Sequence, residues 1–219
     1  MPRPPRIALF GAVIVVTLGV AACTAEPEAS PPLPTTPVIQ PGAPGEPNRT
    51  LSPEEAAAYQ GAPYTELDVE FVRDMMHHHS QALIMTGYVN DRTEDRDIRL
   101  LAERMQLSQE GELEQFEQWL QDRGEPARDP NAAHADHSDM PGLLTDAELA
   151  QLEAARDGEF DKLFLELMTK HHAGAIEMVR VLYVDGGGQE TDIDILAGHI
   201  EADQEIEITR MQQMLAERS

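Results

Sequence analysis

Two stretches of the sequence decide the fold: MMHHHSQALIM at residues 75–85 and LMTKHHAGAIEM at residues 167–178. In each stretch, two adjacent histidines follow a methionine by one helical turn. Around the first pair, residues of apolar character recur every three or four positions, as they do on one face of an α-helix. This face consists of Phe71, Met75, His78, Ala82, Met85 and Val89. The pattern predicts a long helix whose inner face carries histidine.

The same face occurs a second time, 93 residues later in the chain. It consists of Phe164, Met168, His171, Ala175, Met178 and Leu182. A second helical stretch follows each of these faces, LAERMQLSQEGELEQFEQWL at 101–120 and LAGHIEADQEIEITRMQQML at 196–215, and these two match at an offset of 95 residues. The chain therefore contains an internal repeat of two helices.

Turn-forming residues lie where each pair of helices must reverse direction. They are NDRTED at 90–95 and DGGGQETD at 185–192. Two such hairpins predict an all-α fold, a four-helix bundle built from two repeated helical hairpins. The predicted domain spans 64–219, with repeats at about 65–123 and 144–218 joined by a histidine-containing loop at 124–143. No stretch shows the alternation of a β-strand.

The N-terminus is typical of an export signal. Arg3 and Arg6 precede an apolar run at 7–20, which is shorter than the ~20 residues that a membrane-spanning helix needs. Small residues then precede Cys23, the only cysteine. We interpret 1–22 as a lipoprotein signal peptide and Cys23 as the lipidated residue, with a plain signal peptide or an uncleaved anchor as the alternative. Similarity to bacterial lipoproteins implies several acyl chains, such as palmitate, and a membrane-anchored, extracytoplasmic protein of the cell envelope.

Residues 23–63 are predicted to be the lipidated cysteine followed by a disordered tether, because ten prolines and few large apolar residues cannot support a core. A proline-rich ligand for a partner domain is the alternative. Without the signal peptide, 14 basic residues stand against 40 acidic ones. This balance disfavours nucleic-acid binding and attracts cations, although an ordinary solvated surface has the same character.

The predicted core contains polar residues that form a candidate metal site. Counting from the hairpin turns places His78 level with Gln109 and Glu112, and His171 between Gln204 and Glu207. Buried polar groups require partners, which here are one another or a metal. Imidazole with thioether sulfur favours copper, whereas a di-iron bundle would use Glu-x-x-His, which the sequence lacks. The predicted metal ligands are His78, His79, His171, His172, Met75, Met85, Met168 and Met178, oriented by Gln109, Glu112, Gln204 and Glu207.

A second, independent candidate lies in the acidic loop HADHSDM at 134–140. His134, His137 and Met140 are spaced there as in short histidine-rich tracts that bind metal. This spacing also arises readily by chance.

The repeated motif resembles that of the DUF305 family of bacterial secreted proteins. Both copies contain Met-x-x-His-His-x-x-Ala-x-x-Met, and both second helices contain Gln-x-x-Glu. The resemblance covers about 65–218. It implies a ferritin-like fold of two helical repeats, a link to copper binding and copper tolerance, and no established catalytic reaction. The chain departs from many members at His77, where they have proline, and at Lys170 beside His171.

The sequence therefore predicts an extracytoplasmic, lipid-anchored metal-binding protein for copper binding, buffering or tolerance. Copper ion is the predicted ligand, no organic cofactor is expected, and the expected partners are metal ions and, through the anchor, the membrane. Two alternatives remain open. One is a ferritin-like metal-dependent redox enzyme, and the other is a structural or partner-binding bundle with a hydrogen-bonded His/Gln/Glu core.

Overall fold

The structure, a computed structural model, describes residues 38–40, 47–58, 61–127 and 140–218. The predicted signal peptide, Cys23 and the loop histidines His134 and His137 lie outside these ranges. The chain divides into two compact units, Met1–Ala58 and Tyr59–Ser219, and each is described by itself.

The first unit contains a short strand pair and a short helix. Strand β1 (Val38–Gln40) pairs antiparallel with β2 (Arg49–Leu51), and α1 (Pro53–Ala58) follows. The Glu55 N–H donates to Ser52 Oγ at 3.1 Å, and the Ser52 N–H donates to Glu55 Oε2 at 2.9 Å. This reciprocal capping box starts α1. The two strands were not expected from the sequence, because three residues are too few to show alternation.

The second unit is a bundle of four long helices with one short helix. They are α2 (Glu66–Arg92), α3 (Arg96–Asp122), the short α4 (Asp146–Ala154), α5 (Asp157–Val184) and α6 (Thr191–Glu217). Helix α2 packs against α3, α5 against α6, and α2 against α5. The prediction of an all-α fold built from two helical hairpins is confirmed. Among the described residues, no helix combines the length and the apolar character needed to cross a membrane.

Side-chain caps set the starts of most of these helices. Thr65 caps α2 and Thr145 caps α4, each in a capping box with the acidic residue three positions later. Asp95 accepts hydrogen bonds from two N–H groups at the start of α3, and Glu190 accepts one at the start of α6. Helix α5 begins after Arg156 without a side-chain cap. The helix boundaries are therefore encoded locally.

Helices α2 and α5 run antiparallel and cross at the histidines. One apolar cluster joins the start of α2, at Phe71, to the end of α5, at Leu182. The other joins the end of α2, at Val89, to the start of α5, at Phe160. The two hairpins are therefore related by an approximate two-fold axis, and the histidine pairs lie between the two clusters.

A buried aspartate near the start of each central helix contacts the turn of the opposite hairpin. Asp68 of α2 accepts a hydrogen bond at 2.7 Å from the N–H of Gly188, in the α5–α6 turn. Burial raises the pKa of its repeat equivalent, Asp161 of α5, and the neighbouring side chain of Thr93, in the α2–α3 turn, opposes this rise. The two contacts tie the hairpins to each other.

The start of α4 has a counterpart in the sequence and structure at α1. The 93-residue offset that relates the histidines places Thr145 on Ser52 and Glu148 on Glu55. Both pairs form capping boxes at the start of a short helix, and a buried leucine, Leu51 or Leu144, precedes each. The capping box that starts α4 therefore has a counterpart at the start of α1.

Candidate metal site

Four histidines form one layer across the middle of the bundle. The rings of His78 and His171 stack where α2 crosses α5, with centroids 3.8 Å apart and planes inclined by 37°. The ring of His79 lies 6.4 Å from that of His78, and the ring of His172 lies 6.2 Å from that of His171. All four side chains are buried. The structure thus brings together the four histidines that the sequence singled out.

Each outer histidine contacts a glutamate of the neighbouring helix. His79 Nε2 lies 2.6 Å from Glu112 Oε2, and His172 Nε2 lies 2.6 Å from Glu207 Oε2. Because an ionised carboxylate only accepts hydrogen bonds, Nε2 carries the proton in each pair and, in the neutral ring, Nδ1 carries the lone pair. Carboxylate–imidazole pairs of this kind orient histidines that bind metals. Glu112 and Glu207 therefore lie where the sequence predicted orienting residues.

The two inner histidines are held differently. His78 Nε2 donates to the carbonyl oxygen of Pro141 at 3.1 Å, which again leaves Nδ1 with the lone pair. Among the described residues, neither ring nitrogen of His171 has a hydrogen-bond partner. Burial, with a smaller effect from His79, lowers the pKa of His78 to about 3. Burial followed by the neighbouring His78 lowers the pKa of His171 well below its usual range. Both rings are therefore neutral near pH 7.

The carbonyl of Pro141 belongs to a loop, 140–144, that packs across the outside of the histidine layer. Gln81 of α2 holds this loop, since its amide donates to the Leu144 carbonyl at 3.0 Å and accepts from the Leu144 N–H at 2.7 Å. On α5, a Cβ atom at Gly174 would lie 2.2 Å from the Pro141 oxygen, so only glycine fits. Gln81 and Gly174 occupy equivalent positions in the two repeats, but one has a long amide side chain and the other has none. This departure from the repeat is the sequence signal that could have revealed the loop.

The two glutamines of the predicted site make no hydrogen bond to the imidazole rings in the described part of the chain. Gln109 and Gln204 are buried at the level of the histidines, as expected, but they do not hold the rings. Within the described part of the chain, both amide atoms of Gln109 and Oε1 of Gln204 lack a hydrogen-bond partner. The outer histidines bond instead to the glutamates one turn further along, because only those side chains meet Nε2.

Unsatisfied polar atoms are concentrated in this layer. Of the nine buried side-chain nitrogen and oxygen atoms that lack a partner among the described residues, all but Asp161 Oδ1 belong to the four histidines and two glutamines. Each such atom costs roughly 1–3 kcal/mol if it stays unmet. Together they would cost on the order of 10 kcal/mol, comparable with the whole net stability of a domain. The layer therefore favours an occupant that interacts with several imidazole nitrogens at once.

The predicted methionine ligands flank the histidine layer on both sides. Met75 and Met178 belong to the apolar cluster that contains Phe71, and Met85 and Met168 belong to the cluster that contains Phe160. Three of the four are fully buried, and Met178 is 8% exposed. Met75 and Met168 lie one turn before the histidine pairs on the same helix face, within the usual reach of an i, i+3 or i, i+4 contact.

Met140, predicted as a loop ligand, lies beside Met178. The two methionines line a groove of 310 Å³ beside α2 and α5, together with Glu70, Asp74 and Asp185.

The donor atoms fit copper in kind. Imidazole nitrogen and thioether sulfur are the ligands that copper accepts in its two common oxidation states. Four buried Nδ1 atoms have no partner among the described residues, and three of them have their tautomer set by a bond at Nε2. In the described ranges, however, no three His, Cys, Asp or Glu side chains converge on one point as a complete metal site. Thioether or amide donors, or movement of the rings, would have to complete a coordination shell.

Fold and site together define a helical bundle with a buried histidine layer. The chain belongs to the DUF305 family, because the profile of the Domain of unknown function (DUF305) matches residues 68–215. No functionally curated protein matches the chain.

Solved structures of this family resemble the chain. A DUF305 protein of Streptomyces coelicolor, described as secreted, has 32% identity and a TM-score of 0.62, covering 69% of this chain and 93% of that one. A DUF305 fragment from Deinococcus radiodurans has 32% identity and a TM-score of 0.62, covering 71% and 99%. CopM, solved in its Cu(II)-bound form, has 25% identity and a TM-score of 0.58, covering 69% and 97%.

Proposed function

We propose that this protein is an extracytoplasmic copper-binding protein, anchored to a membrane of the cell envelope through lipid on Cys23, that buffers copper or protects against it. One observation carries the proposal. Two buried imidazoles, His79 and His172, are each fixed by a glutamate at Nε2, and their Nδ1 atoms have no partner within the described residues. His78 and His171 supply further nitrogen donors between them.

The glutamates favour cation binding in two ways. Accepting the Nε2 proton makes Nδ1 a better donor and keeps the ring from turning. Glu112 and Glu207 also bring two negative charges to the edge of the core, with side chains that are only 10% and 14% exposed. Charges that are partly removed from water are stabilised by an opposite charge nearby. A copper ion bound among the histidines would provide one.

The methionines favour copper over zinc or iron as the bound metal. Met75 and Met168 add soft thioether sulfur one turn from the histidines, and Met85 and Met178 add it on the other side of the layer. Thioethers select Cu(I), whereas imidazole binds both Cu(I) and Cu(II). A site of this composition binds copper in either state and so suits storage or buffering. The copper-bound relative CopM and the relative described as secreted support the metal and the location.

Copper titration of the mature chain tests the proposal. We expect wild type to bind Cu(I) and Cu(II) and to become more stable on binding, since a ligand that binds only the folded state raises the melting temperature. Replacing His78, His79, His171 and His172 by alanine should abolish the binding. His77→Ala is the matched control, because His77 is an exposed histidine on the same helix turn. Unchanged copper stoichiometry and affinity in the fourfold variant would exclude the proposed site.

The anchor is tested separately. A Cys23→Ser chain, expressed in a bacterial host that processes lipoproteins, should leave the membrane fraction while retaining its copper binding. A Cys23→Ser chain that stays in the membrane fraction would contradict lipidation at this residue.

A further inference from the structure

The two glutamate–histidine pairs are equivalent in the repeat, but their surroundings differ. Outside Glu112 lies a pocket of 120 Å³ between α3 and α6, lined also by Gln115, His199 and Asp203. Liquid water occupies about 30 Å³ per molecule, so the pocket has room for roughly four waters, or for a cation with part of its hydration shell. Among the described residues, its polar lining comprises two carboxylates, one imidazole and neutral groups, without Lys or Arg.

Glu112 connects this pocket to the histidine layer. Its side chain lines the pocket and is 10% exposed, and its Oε2 atom lies 2.6 Å from Nε2 of the fully buried His79. One residue therefore faces both solvent and the first imidazole of the layer. The amide of Gln109, which has no hydrogen-bond partner among the described residues, lies one turn before Glu112 on α3, and Gln109 is 2% exposed.

Two of the pocket residues have positively charged counterparts at the equivalent positions of the other repeat. The 95-residue offset places Arg210 at the position of Gln115, and Arg104 at the position of His199. Both arginines are exposed. At positions equivalent to those around Glu112, the repeat therefore has two positive charges in place of a neutral amide and an imidazole. Exposed charges act over about 8–10 Å at physiological ionic strength, which is far enough to attract or repel an approaching cation.

We propose that the pocket between α3 and α6, lined by Glu112, His199 and Asp203, is the route by which copper reaches the buried histidines, so that the His79 half of the layer binds metal before the His172 half. This inference rests on the proposed copper binding and adds the side of the bundle from which copper enters. Glu112 receives the hydrated cation from solvent. Because Glu112 also contacts His79, the cation then reaches the imidazole of His79 before those of the other three histidines. Arg104 and Arg210 keep cations away from Glu207.

The rate of copper binding tests the route. Trp119 is the only tryptophan of the chain. It lies on α3, one turn after the pocket residue Phe116 and in the same apolar cluster, so bound Cu(II) should quench its fluorescence. In rapid mixing of the mature chain with Cu(II), we expect Gln115→Arg with His199→Arg to slow the quenching at least fivefold. Arg104→His with Arg210→Gln should speed binding to the His172 half, measured in a His79→Ala background.

A charge-matched control separates the pocket from the overall charge. Gln212→Arg with Gln213→Arg adds the same two positive charges at exposed positions of α6, nine or more residues past Asp203 and thus ~14 Å along the helix. This variant should bind at nearly the wild-type rate. Apart from the His79→Ala background, all substituted residues are exposed, and unchanged circular dichroism and melting temperature check the fold.

The outcomes distinguish this inference from the proposed function. If copper binds with full stoichiometry and the Gln115→Arg/His199→Arg chain binds as fast as wild type, the route is wrong and the copper site stands. Equal slowing by the Gln212→Arg/Gln213→Arg control would also overturn the route. If the wild-type chain binds no copper, both conclusions fail.

Discussion

His79 and Glu112, on neighbouring antiparallel helices, lie 2.6 Å apart from Nε2 to Oε2, and His172 and Glu207 repeat this contact at the same distance. Each pair joins the two helices of its own hairpin. Within the histidine layer, the two hairpins meet where His78 stacks on His171, at 3.8 Å between ring centroids. The layer is therefore assembled from two similar halves that meet at their inner histidines.

Removing the charge of the glutamates should weaken copper binding without destroying the fold. In Glu112→Gln and Glu207→Gln the neutral amide holds the ring less firmly and makes Nδ1 a poorer donor. Loss of such an orienting partner typically lowers metal affinity about 10–100-fold. Competition titration with a chelator of known affinity measures the change. Glu114→Gln, an exposed position on α3, should leave the affinity as it is, and an equal affinity in Glu112→Gln would count against the orienting role.

The methionines next to the histidines should matter for Cu(I) more than for Cu(II). Met75→Leu with Met168→Leu conserves volume in the core, so each substitution should change the free energy of unfolding by less than about 1.5 kcal/mol. The loss of thioether sulfur should nevertheless reduce Cu(I) affinity, because sulfur selects the reduced ion. Titrations under anaerobic and aerobic conditions give the two affinities. Equal Cu(I) affinity in this variant would show that the sulfurs only fill the core.

The loop over the histidines should be sensitive to one methyl group. In Gly174→Ala the new Cβ would lie 2.2 Å from the Pro141 oxygen and 2.4 Å from Gly142 Cα, so the loop must shift. We expect a loss of about 1–3 kcal/mol in unfolding free energy, the usual penalty of overpacking. Gly198→Ala is the control, since it is also a helical glycine but has no atom within 4 Å of the new Cβ among those described. It should gain up to ~1 kcal/mol from helix propensity, and similar behaviour of both variants would contradict the loop contact.

The metal-free protein should lose stability on acidification below pH 6.5. Burial lowers the folded-state pKa of His78 from 6.5 to about 3, and that of His171 well below 6.5. Between the folded-state and unfolded-state pKa values, the unfolded chain therefore binds more protons than the folded chain. The unfolding free energy decreases as the pH is lowered through this range. His78 alone should contribute a loss of ~2 kcal/mol between pH 6.5 and pH 5.

Chemical denaturation at several pH values measures this slope. His78→Asn should flatten it, whereas His199→Gln, at an exposed position of α6, should not. A wild-type unfolding free energy that is constant from pH 7 to pH 5 would show that the inner histidines are not buried as neutral rings.

The two buried aspartates should differ in their effect on stability. Asp68 accepts three hydrogen bonds, from Gly188 N–H and from both the N–H and the hydroxyl of Thr65. Asp68→Ala leaves these donors unmet and should cost at least ~3 kcal/mol. Asp161 has one oxygen without a partner among the described residues and a pKa raised by burial, so Asp161→Ala should cost less. Thermal unfolding compares the two, and an equal or larger loss for Asp161→Ala would contradict this ranking.

Much of the fold and part of the site could be predicted because they depend on local patterns. The spacing from Phe71 to Val89 identifies a helix, and its recurrence from Phe164 to Leu182 identifies the second hairpin. The partners Glu112 and Glu207 could be placed because an antiparallel hairpin with a known turn fixes which residues lie side by side.

Other features of the site depend on contacts between distant parts of the chain. The stacking of His78 on His171, the carbonyl of Pro141 at His78 and the charges around the α3–α6 pocket all join residues far apart in sequence. Helical periodicity predicts which face of a helix is buried. It does not predict which residues of the other hairpin pack against that face. Gln109 shows the same limit, since its position was predictable and its lack of a partner was not.

The sequence by itself therefore determined the helices, their pairing into two hairpins and the four histidines on their inner faces, because helix geometry and turn chemistry act over a few residues. The tertiary structure alone decided which imidazole nitrogens are bonded, which lack partners among the described residues, and which end of the histidine layer borders the α3–α6 pocket. Those properties arise only when the two hairpins pack antiparallel and remove the rings from water.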